Sequence, residues 1–192
     1  KPDGYTICTA SATNFGSLIA TSKVPYTIKD FSGVAKAVTL PIMIVTKKGR
    51  FNDFESFVKE AKQNPSALTY GAWGVGSTGH FVGELLNKAL GTKMKHVPFD
   101  GGSKALVAVL GGHIDIGILI VSTPASNVKA GLLTALAVAN DGRVENFSDI
   151  LTLKELGYPD ANLMSYDGFV VSSKVPKERL AILNSAFEKT LK

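Results

Sequence analysis

The sequence has 192 residues, of which 45% are hydrophobic and 19% are charged, and its net charge is +5. This balance is typical of a globular protein with one large core or two smaller cores, and it excludes an intrinsically disordered chain. No apolar run reaches the ~18 residues of a membrane-spanning helix, and the positive charges are spread out without interleaved aromatic residues. The composition therefore predicts neither an integral membrane protein nor a nucleic-acid-binding protein.

The first part of the chain predicts a strand, a polar loop and two further strands. The strand YTICTA is followed by small and polar residues from Thr9 to Asn14, which precede a helix-like pattern. The strand-like runs VAKAV and PIMIVT are separated at Pro41. A strand pair interrupted in this way is typical of a crossing between domains. Because the chain begins with Lys rather than Met, we expect that a targeting segment has been removed.

Strands and helices alternate through the middle of the chain. A helix is expected to begin near Ser77, and a second glycine loop after Asp100 precedes another helix. The apolar run at 114–121 indicates a buried strand, residues 140–162 indicate a surface excursion, and SYDGFVVSS indicates a last strand before a final amphipathic helix. This alternation predicts an α/β fold with parallel sheets.

The most informative stretch is LTYGAWGVGSTGHFVGELLNKAL, at 68–90, which predicts a short strand, a glycine-rich turn and a helix that opens near Ser77 or Thr78. Glycines allow the backbone to approach a ligand closely, and the first N–H groups of a helix have no intrahelical partner. These donors and the helix dipole favour an anionic group, with the Ser77 and Thr78 hydroxyls as further donors or caps. The turn is therefore a candidate anion-binding site.

Three interpretations of this turn remain open. The glycines can simply permit a tight turn between a strand and a helix. Gly74, Gly76 and Gly79 also satisfy the G-x-G-x-x-G pattern of a dinucleotide-binding enzyme, and Asp100 follows about 20 residues later, where a ribose-binding acid is expected. The third interpretation is a pocket for a small carboxylate or phosphate. A P-loop is excluded because no Lys follows the last glycine.

No catalytic or metal-binding cluster is evident in the sequence. The three histidines are His80, His96 and His113. They have no metal-ligand spacing, and we expect His80 to pack locally at its helix end. The single cysteine, Cys8, is expected to be a small core residue. Asp100 and Asp115 have no neighbouring nucleophile, so we expect no enzymatic activity, no metal and no cofactor.

Six motifs are spread along the chain: KPDGYT, CTASATNF, KDFSGVAKAV, YGAWGVGSTGHFVGELL, HVPFDGGSKALVAVLGGHIDI and VKAGLLTALAV. The most specific elements within them are GVGSTGHF, VPFDGG and GGHID at their mutual distances. Together they resemble the substrate-binding receptors of tripartite tricarboxylate transporters, of the Bug and TctC type. This resemblance disfavours the dinucleotide-binding alternative.

The resemblance implies the fold of a periplasmic binding protein, type II-like, with two α/β lobes around a cleft, each a mostly parallel sheet flanked by helices. The interruption at Pro41 and the strand SYDGFVV predict that lobe I comprises residues 1–40 and 163–192, and lobe II residues 41–162. A first strand, ligand loop and helix that are usual in the family have no counterpart here, so lobe I is expected to be incomplete.

The resemblance also implies a function: an extracytoplasmic receptor that binds a small organic carboxylate in the interlobe cleft and delivers it to membrane permease subunits. It implies a monomer in the periplasm, without catalysis, cofactor or nucleic-acid partner, whose signal peptide is absent from this chain. The ligand-binding residues carried over by position are Thr9, Ser11, Ala12, Thr13, Ala72, Trp73, Gly76, Ser77, Thr78, Gly79 and Asp100. Trp73 and Asp100 depart from the family pattern of a small polar loop and a frequent Lys, so aromatic and monocarboxylic ligands are alternatives to a dicarboxylate.

Overall fold

The computed structural model describes residues 2–191, and the chain divides into two compact units. Unit 1 contains the residues through Leu40 and those from Ser165 onward, and unit 2 is Pro41–Met164. In chain order the strands are β1 (Cys8–Ser11), β2 (Phe31–Leu40), β3 (Ile42–Lys47), β4 (Thr69–Ala72), β5 (Lys95–Pro98), β6 (Ile116–Ile120), β7 (Leu133–Ala139) and β8 (Ser165–Ser172). The helices are α1 (Leu18–Thr21), α2 (Phe54–Gln63), α3 (Thr78–Leu90), α4 (Gly102–Gly111), α5 (Ala125–Lys129) and α6 (Lys177–Thr190).

Unit 1 is a three-stranded sheet with one long helix. Strand β8 lies between β1 and β2 and is antiparallel to both. Helix α6 packs on the sheet through Phe187, whose ring centroid is 4.7 Å from that of Phe169. Among the described residues of this unit, the buried apolar side chains are Ala10, Val171 and Val175. Cys8 is exposed, so its expected place in a core is wrong; it lies on an edge strand of a unit that buries little.

Unit 2 is built on a five-stranded sheet with the order β5–β4–β6–β3–β7. Strand β4 is parallel to β5 and β6, whereas β3 is antiparallel to both β6 and β7. Four strands therefore run in one direction, and β3, which lies between β6 and β7, runs in the opposite direction. In each unit the reversed strand is the one that follows the crossing of the chain from the other unit, β3 after Leu40 and β8 after Met164.

The predicted α/β class is confirmed, but the sheet of unit 2 is mixed and the sheet of unit 1 is antiparallel, rather than each being mostly parallel. The prediction fails in unit 1, where both strand pairings are antiparallel. The physical reason is that β8 pairs with β1 and β2, which precede all of unit 2 in the chain, and the local alternation of strands and helices does not specify the direction of such a distant pairing.

Successive residues of β3 face opposite sides of the sheet, as the period of a strand requires. Ile42 and Ile44 join a buried cluster with α2 and α3, while Met43 and Val45 join a second cluster with α4. The predicted surface excursion at 140–162 is wrong in part. Leu153 is fully buried, because its N–H donates to the Val138 carbonyl and holds this segment against the edge strand β7.

Across residues 2–191, no helix is both long and apolar enough to cross a membrane. Within the same range, no group of three or more His, Cys, Asp and Glu side chains is placed to hold a metal ion.

Candidate functional site

The glycine loop, Trp73–Ser77, connects β4 to α3 in unit 2. Ser77 is the N-cap of α3, which confirms the predicted helix start: its Oγ accepts the His80 N–H at 3.2 Å and donates to the Gly74 carbonyl at 2.8 Å. The Ser77 side chain is also buried. Its hydroxyl is therefore engaged in capping rather than free to donate to a ligand.

The glycines of this loop are required for two different reasons. Gly74 and Gly76 have φ of +111° and +78°, in the left-handed region that other residues rarely adopt. Gly79 has an ordinary φ but leaves no room for a side chain, because a Cβ there would lie 2.7 Å from both the Ile118 carbonyl oxygen and the Trp73 ring. Helix α3 consequently approaches β6 at a distance that only glycine allows.

At the start of α3, some backbone N–H groups donate hydrogen bonds to other described residues and others do not. The Gly76 N–H donates to His80 Nδ1 at 3.1 Å, and the Ser77 N–H donates to the Gly74 carbonyl at 3.3 Å. The N–H groups of Thr78 and Gly79, and the Thr78 hydroxyl, have no hydrogen-bond partner within residues 2–191. Two neighbouring N–H groups at the positive end of a thirteen-residue helix suit one anionic group, such as a carboxylate.

A cluster of four polar side chains lies beside the loop, and we call it the histidine cluster: Tyr70, His80, Glu84 and His96. The His96 ring stacks on His80 with centroids 4.2 Å apart and on Tyr70 at 4.9 Å. The Tyr70 hydroxyl donates to Glu84 Oε1 at 2.6 Å, and His80 Nε2 lies 4.0 Å from the same oxygen. His80 thus packs locally, as expected.

The electrostatics of the histidine cluster favour the neutral forms of His96 and Tyr70. Burial, with a contribution from nearby His80, lowers the pKa of His96 to about 4. Burial and the hydrogen bond to Glu84 raise the pKa of Tyr70 well above its ordinary value. His96 Nε2 is buried without a hydrogen-bond partner in the described part of the chain. At neutral pH, His96 is therefore uncharged and Tyr70 keeps its proton.

Sequence reasoning missed Tyr70, Glu84 and His96. The spacing of His80 and Glu84, four residues apart on one helix, is a signal that the sequence does contain. The place of the other two depends on the β4–β5 register, in which Tyr70 is opposite His96. That register is not readable from the local pattern.

The other predicted residues of unit 2 surround the loop or follow β5. Ala72 is buried at the end of β4, and Trp73 is half-buried against the core. Asp100 is exposed after β5 and forms an ion pair with Lys104 at 2.6 Å, which lowers the pKa of the Asp100 carboxyl. Its carboxylate is therefore engaged by a neighbour on α4.

The remaining four predicted residues lie in unit 1. Thr9 and Ser11 belong to β1, which runs three residues into the loop expected from Thr9 to Asn14, and Ser11 Oγ accepts the Asn14 N–H at 3.2 Å. Ala12 precedes a π-helical turn that begins at Thr13 and continues into α1. The eleven predicted residues are thus divided between the two units, four and seven.

Comparison with solved structures identifies the class of fold. A TctC solute binding protein from Polaromonas matches with a TM-score of 0.85 and 27% identity, over 100% of this chain and 65% of that one. MatC from Rhodopseudomonas palustris with bound malate matches with a TM-score of 0.83 and 26% identity, over 98% and 65% of the two chains. The fold is that of the two-lobed periplasmic binding proteins.

The sequence defines the family within that class. The family model of the tripartite tricarboxylate transporter family receptor matches residues 1–192, and the chain belongs to this family. A UPF0065 protein of Bordetella pertussis is 28% identical over 187 residues, which are 96% of this chain and 58% of that protein. The chain therefore spans little more than half the length of this curated relative. The family and these neighbours are solute receptors rather than enzymes, in agreement with the resemblance seen in the sequence.

Proposed function

We propose that the chain is part of an extracytoplasmic receptor that binds a small organic carboxylate and delivers it to the membrane permease of a tripartite tricarboxylate-type transporter. Membership of the receptor family carries this proposal. The similarity to MatC, whose structure contains malate, supports a carboxylate as the class of ligand. Location in the periplasm and action as a monomer belong to the same proposal.

The chemistry of the loop agrees with an anionic ligand. In the proposed complex, one carboxylate accepts the N–H groups of Thr78 and Gly79 and the hydroxyl of Thr78. Hydrogen bonds of this charge-assisted kind are worth roughly 1.5–3 kcal/mol each. Ser77 and Gly76 act indirectly, through the cap and the shape of the loop.

The two-lobed arrangement is retained in the proposal, with lobe I at 1–40 and 163–192 and lobe II at 41–162. The family resemblance supports a ligand in the cleft between the lobes, with Thr9, Ser11, Ala12 and Thr13 contributing from lobe I. Ala72, Trp73 and Asp100 would line the site in lobe II beside the glycine loop. Ligand binding is then expected to favour a closed arrangement of the lobes.

The function is tested on the full-length receptor. Small molecules released from the purified, denatured protein are identified by mass spectrometry, and thermal shifts are measured with malate, citrate, glutamate, benzoate and NAD. We expect a released organic acid and a shift with at least one carboxylate. Tight NAD binding that is lost in Asp100→Ala, with no response to any acid, would instead support the dinucleotide-binding alternative.

A further inference from the structure

His80 is placed to control the shape of the glycine loop. Its Nδ1 lies 3.1 Å from the Gly76 nitrogen, and a backbone N–H can only donate, so Nδ1 is the unprotonated nitrogen and accepts. Gly76 has φ of +78° and immediately precedes the N-cap residue Ser77. The side chain of the third helical residue thus reaches back and fixes the turn through which the chain enters α3.

This bond also determines which donors remain free. By taking the Gly76 N–H, His80 holds the loop in the conformation in which Ser77 caps the helix and the Thr78 and Gly79 N–H groups have no partner within residues 2–191. The ring itself is held by its neighbours, since it stacks on His96 and its Nε2 faces Glu84 at 4.0 Å. Both contacts are compatible with the ring orientation in which Nδ1 faces the Gly76 N–H.

We propose that His80 is a positioning residue whose neutral ring holds the glycine loop in its binding-competent shape and whose protonation releases that loop; this inference rests on the proposed function of the loop. A protonated imidazole carries N–H groups at both nitrogens. Nδ1–H and the Gly76 N–H would then be two donors facing each other, and the bond is lost. The affinity for a carboxylate falls in acid as a result.

The groups that face His80 agree with this mechanism. Glu84, one turn further along α3, provides a partner for the positive charge at Nε2. Tyr70 on β4 is uncharged, and burial keeps the pKa of His96 on β5 near 4, so His96 stays neutral in the range where an ordinary imidazole gains its proton. Neither of these rings supplies a competing charge.

Two variants distinguish the role of His80 as a hydrogen-bond acceptor from the effect of its protonation. His80→Asn keeps an acceptor oxygen close to the position of Nδ1 but cannot be protonated, and His80→Ala removes the acceptor. The matched control is His113→Asn, because His113 is exposed and precedes β6 at the end of the sheet remote from the glycine loop.

Two measurements are made on the full-length receptor at pH 7.5 and pH 5.5. The first is the dissociation constant of malate by calorimetry, compared between variants so that the titration of malate itself cancels. We expect wild type and His80→Asn to bind equally at pH 7.5, and wild type to bind about tenfold more weakly than His80→Asn at pH 5.5. His80→Ala is expected to bind about tenfold more weakly than wild type at pH 7.5, and His113→Asn to follow wild type.

The second measurement needs no ligand. The amide chemical shift of Gly76 is followed by NMR against pH, and we expect it to titrate in wild type and His113→Asn but to stay constant in His80→Asn. An unchanged pH curve in His80→Asn, or wild-type malate affinity in His80→Ala, would overturn the inference. If wild type binds no carboxylate, the proposed function fails while the Gly76 titration still decides the role of His80.

Discussion

At the scale of single residues, neighbouring polar groups at the start of α3 have different tasks. The Ser77 hydroxyl is engaged on both sides, by the His80 N–H and the Gly74 carbonyl. The Thr78 hydroxyl has no partner in the described part of the chain. Substitution of Ser77 should therefore affect stability, and substitution of Thr78 should affect ligand affinity.

Thr78→Ala tests this difference. Loss of one charge-assisted hydrogen bond should weaken carboxylate binding by about tenfold to a hundredfold, measured by calorimetry on the full-length receptor. Thr78→Ser retains the hydroxyl and serves as the control, with affinity close to that of wild type. Equal affinities of wild type and Thr78→Ala would place the carboxylate elsewhere.

Gly79→Ala tests the close approach of α3 to the sheet. Its Cβ would meet the Ile118 carbonyl oxygen and the Trp73 ring at 2.7 Å, so the helix start must move. Overpacking of this kind typically costs about 1–3 kcal/mol of the free energy of unfolding, measured by urea denaturation. In Gly102→Ala, the new Cβ makes only contacts of 3.4 Å or more, and we expect a much smaller change. A stable Gly79→Ala with an unmoved helix would contradict the packing argument.

The sequence predicted part of this site. The cap at Ser77 was predictable because a serine before a helical pattern accepts the N–H of the third helical residue. That the Gly76 N–H is occupied was not predictable, because it depends on the side-chain direction of His80. The stack of His96 on His80 was equally inaccessible, since it joins a helix to a strand through the pairing of β4 with β5.

At the scale of elements, the helices were predicted better than the strand directions. Asp53 caps α2 and Gly91 ends α3 in the left-handed conformation, both with local signals in the sequence. Strand direction is set by partners far away in the chain, as when Ile42 pairs with both Ile120 and Ala139. Local periodicity contains no information on such pairs.

A polar network ties three elements of unit 2 together. Arg50, which follows β3, donates to Glu60 on α2 at 2.8 Å and to Asp115 at 3.0 Å. Asp115 in turn accepts the N–H and the hydroxyl of Thr69 on β4, both at 2.8 Å. The network links the end of β3, α2 and the start of β4.

Glu60→Gln should reveal a pH-dependent part of stability. The hydrogen bond from Arg50 lowers the pKa of Glu60 below its ordinary value of 4.5. A carboxyl with a lowered folded-state pKa stabilises the protein above its unfolded value and loses this contribution as the pH falls through the folded value. Urea unfolding should therefore separate wild type from Glu60→Gln at pH 7, with the difference vanishing well below pH 4.5. Glu55→Gln, on the same helix, is the control and should show no comparable loss; a difference that persists in acid would exclude the ion pair as its cause.

At the scale of the whole molecule, the two units differ in how much they bury. Most buried apolar side chains belong to unit 2, in two clusters on the two faces of its sheet. The ends of unit 2 also lie close together. Ile42, at the first end, pairs with Ala139, and the next residue, Asn140, exchanges hydrogen bonds with Asn162 near the other end. Unit 2 therefore has its own core and neighbouring termini, as an independently folding domain does.

We predict that residues 41–164 expressed alone fold and unfold cooperatively in urea, with a circular dichroism spectrum of an α/β protein. Residues 1–40 joined to 165–192 by a glycine-rich linker are the comparison. They should unfold without a cooperative transition, because the described part of unit 1 buries only three apolar side chains. A fragment 41–164 without a cooperative transition would show that its core depends on unit 1.

The reversed strand β3 has a consequence for how the protein is made. Residues 42–46, all buried in the finished sheet, pair only with β6 and β7, which follow much later in the chain. During synthesis this apolar segment leaves the ribosome before either neighbour exists, and the centre of the sheet can close only after residue 139 has emerged. Until then the nascent chain exposes an apolar, unpaired segment that is prone to aggregation, and chaperones bind segments of this kind.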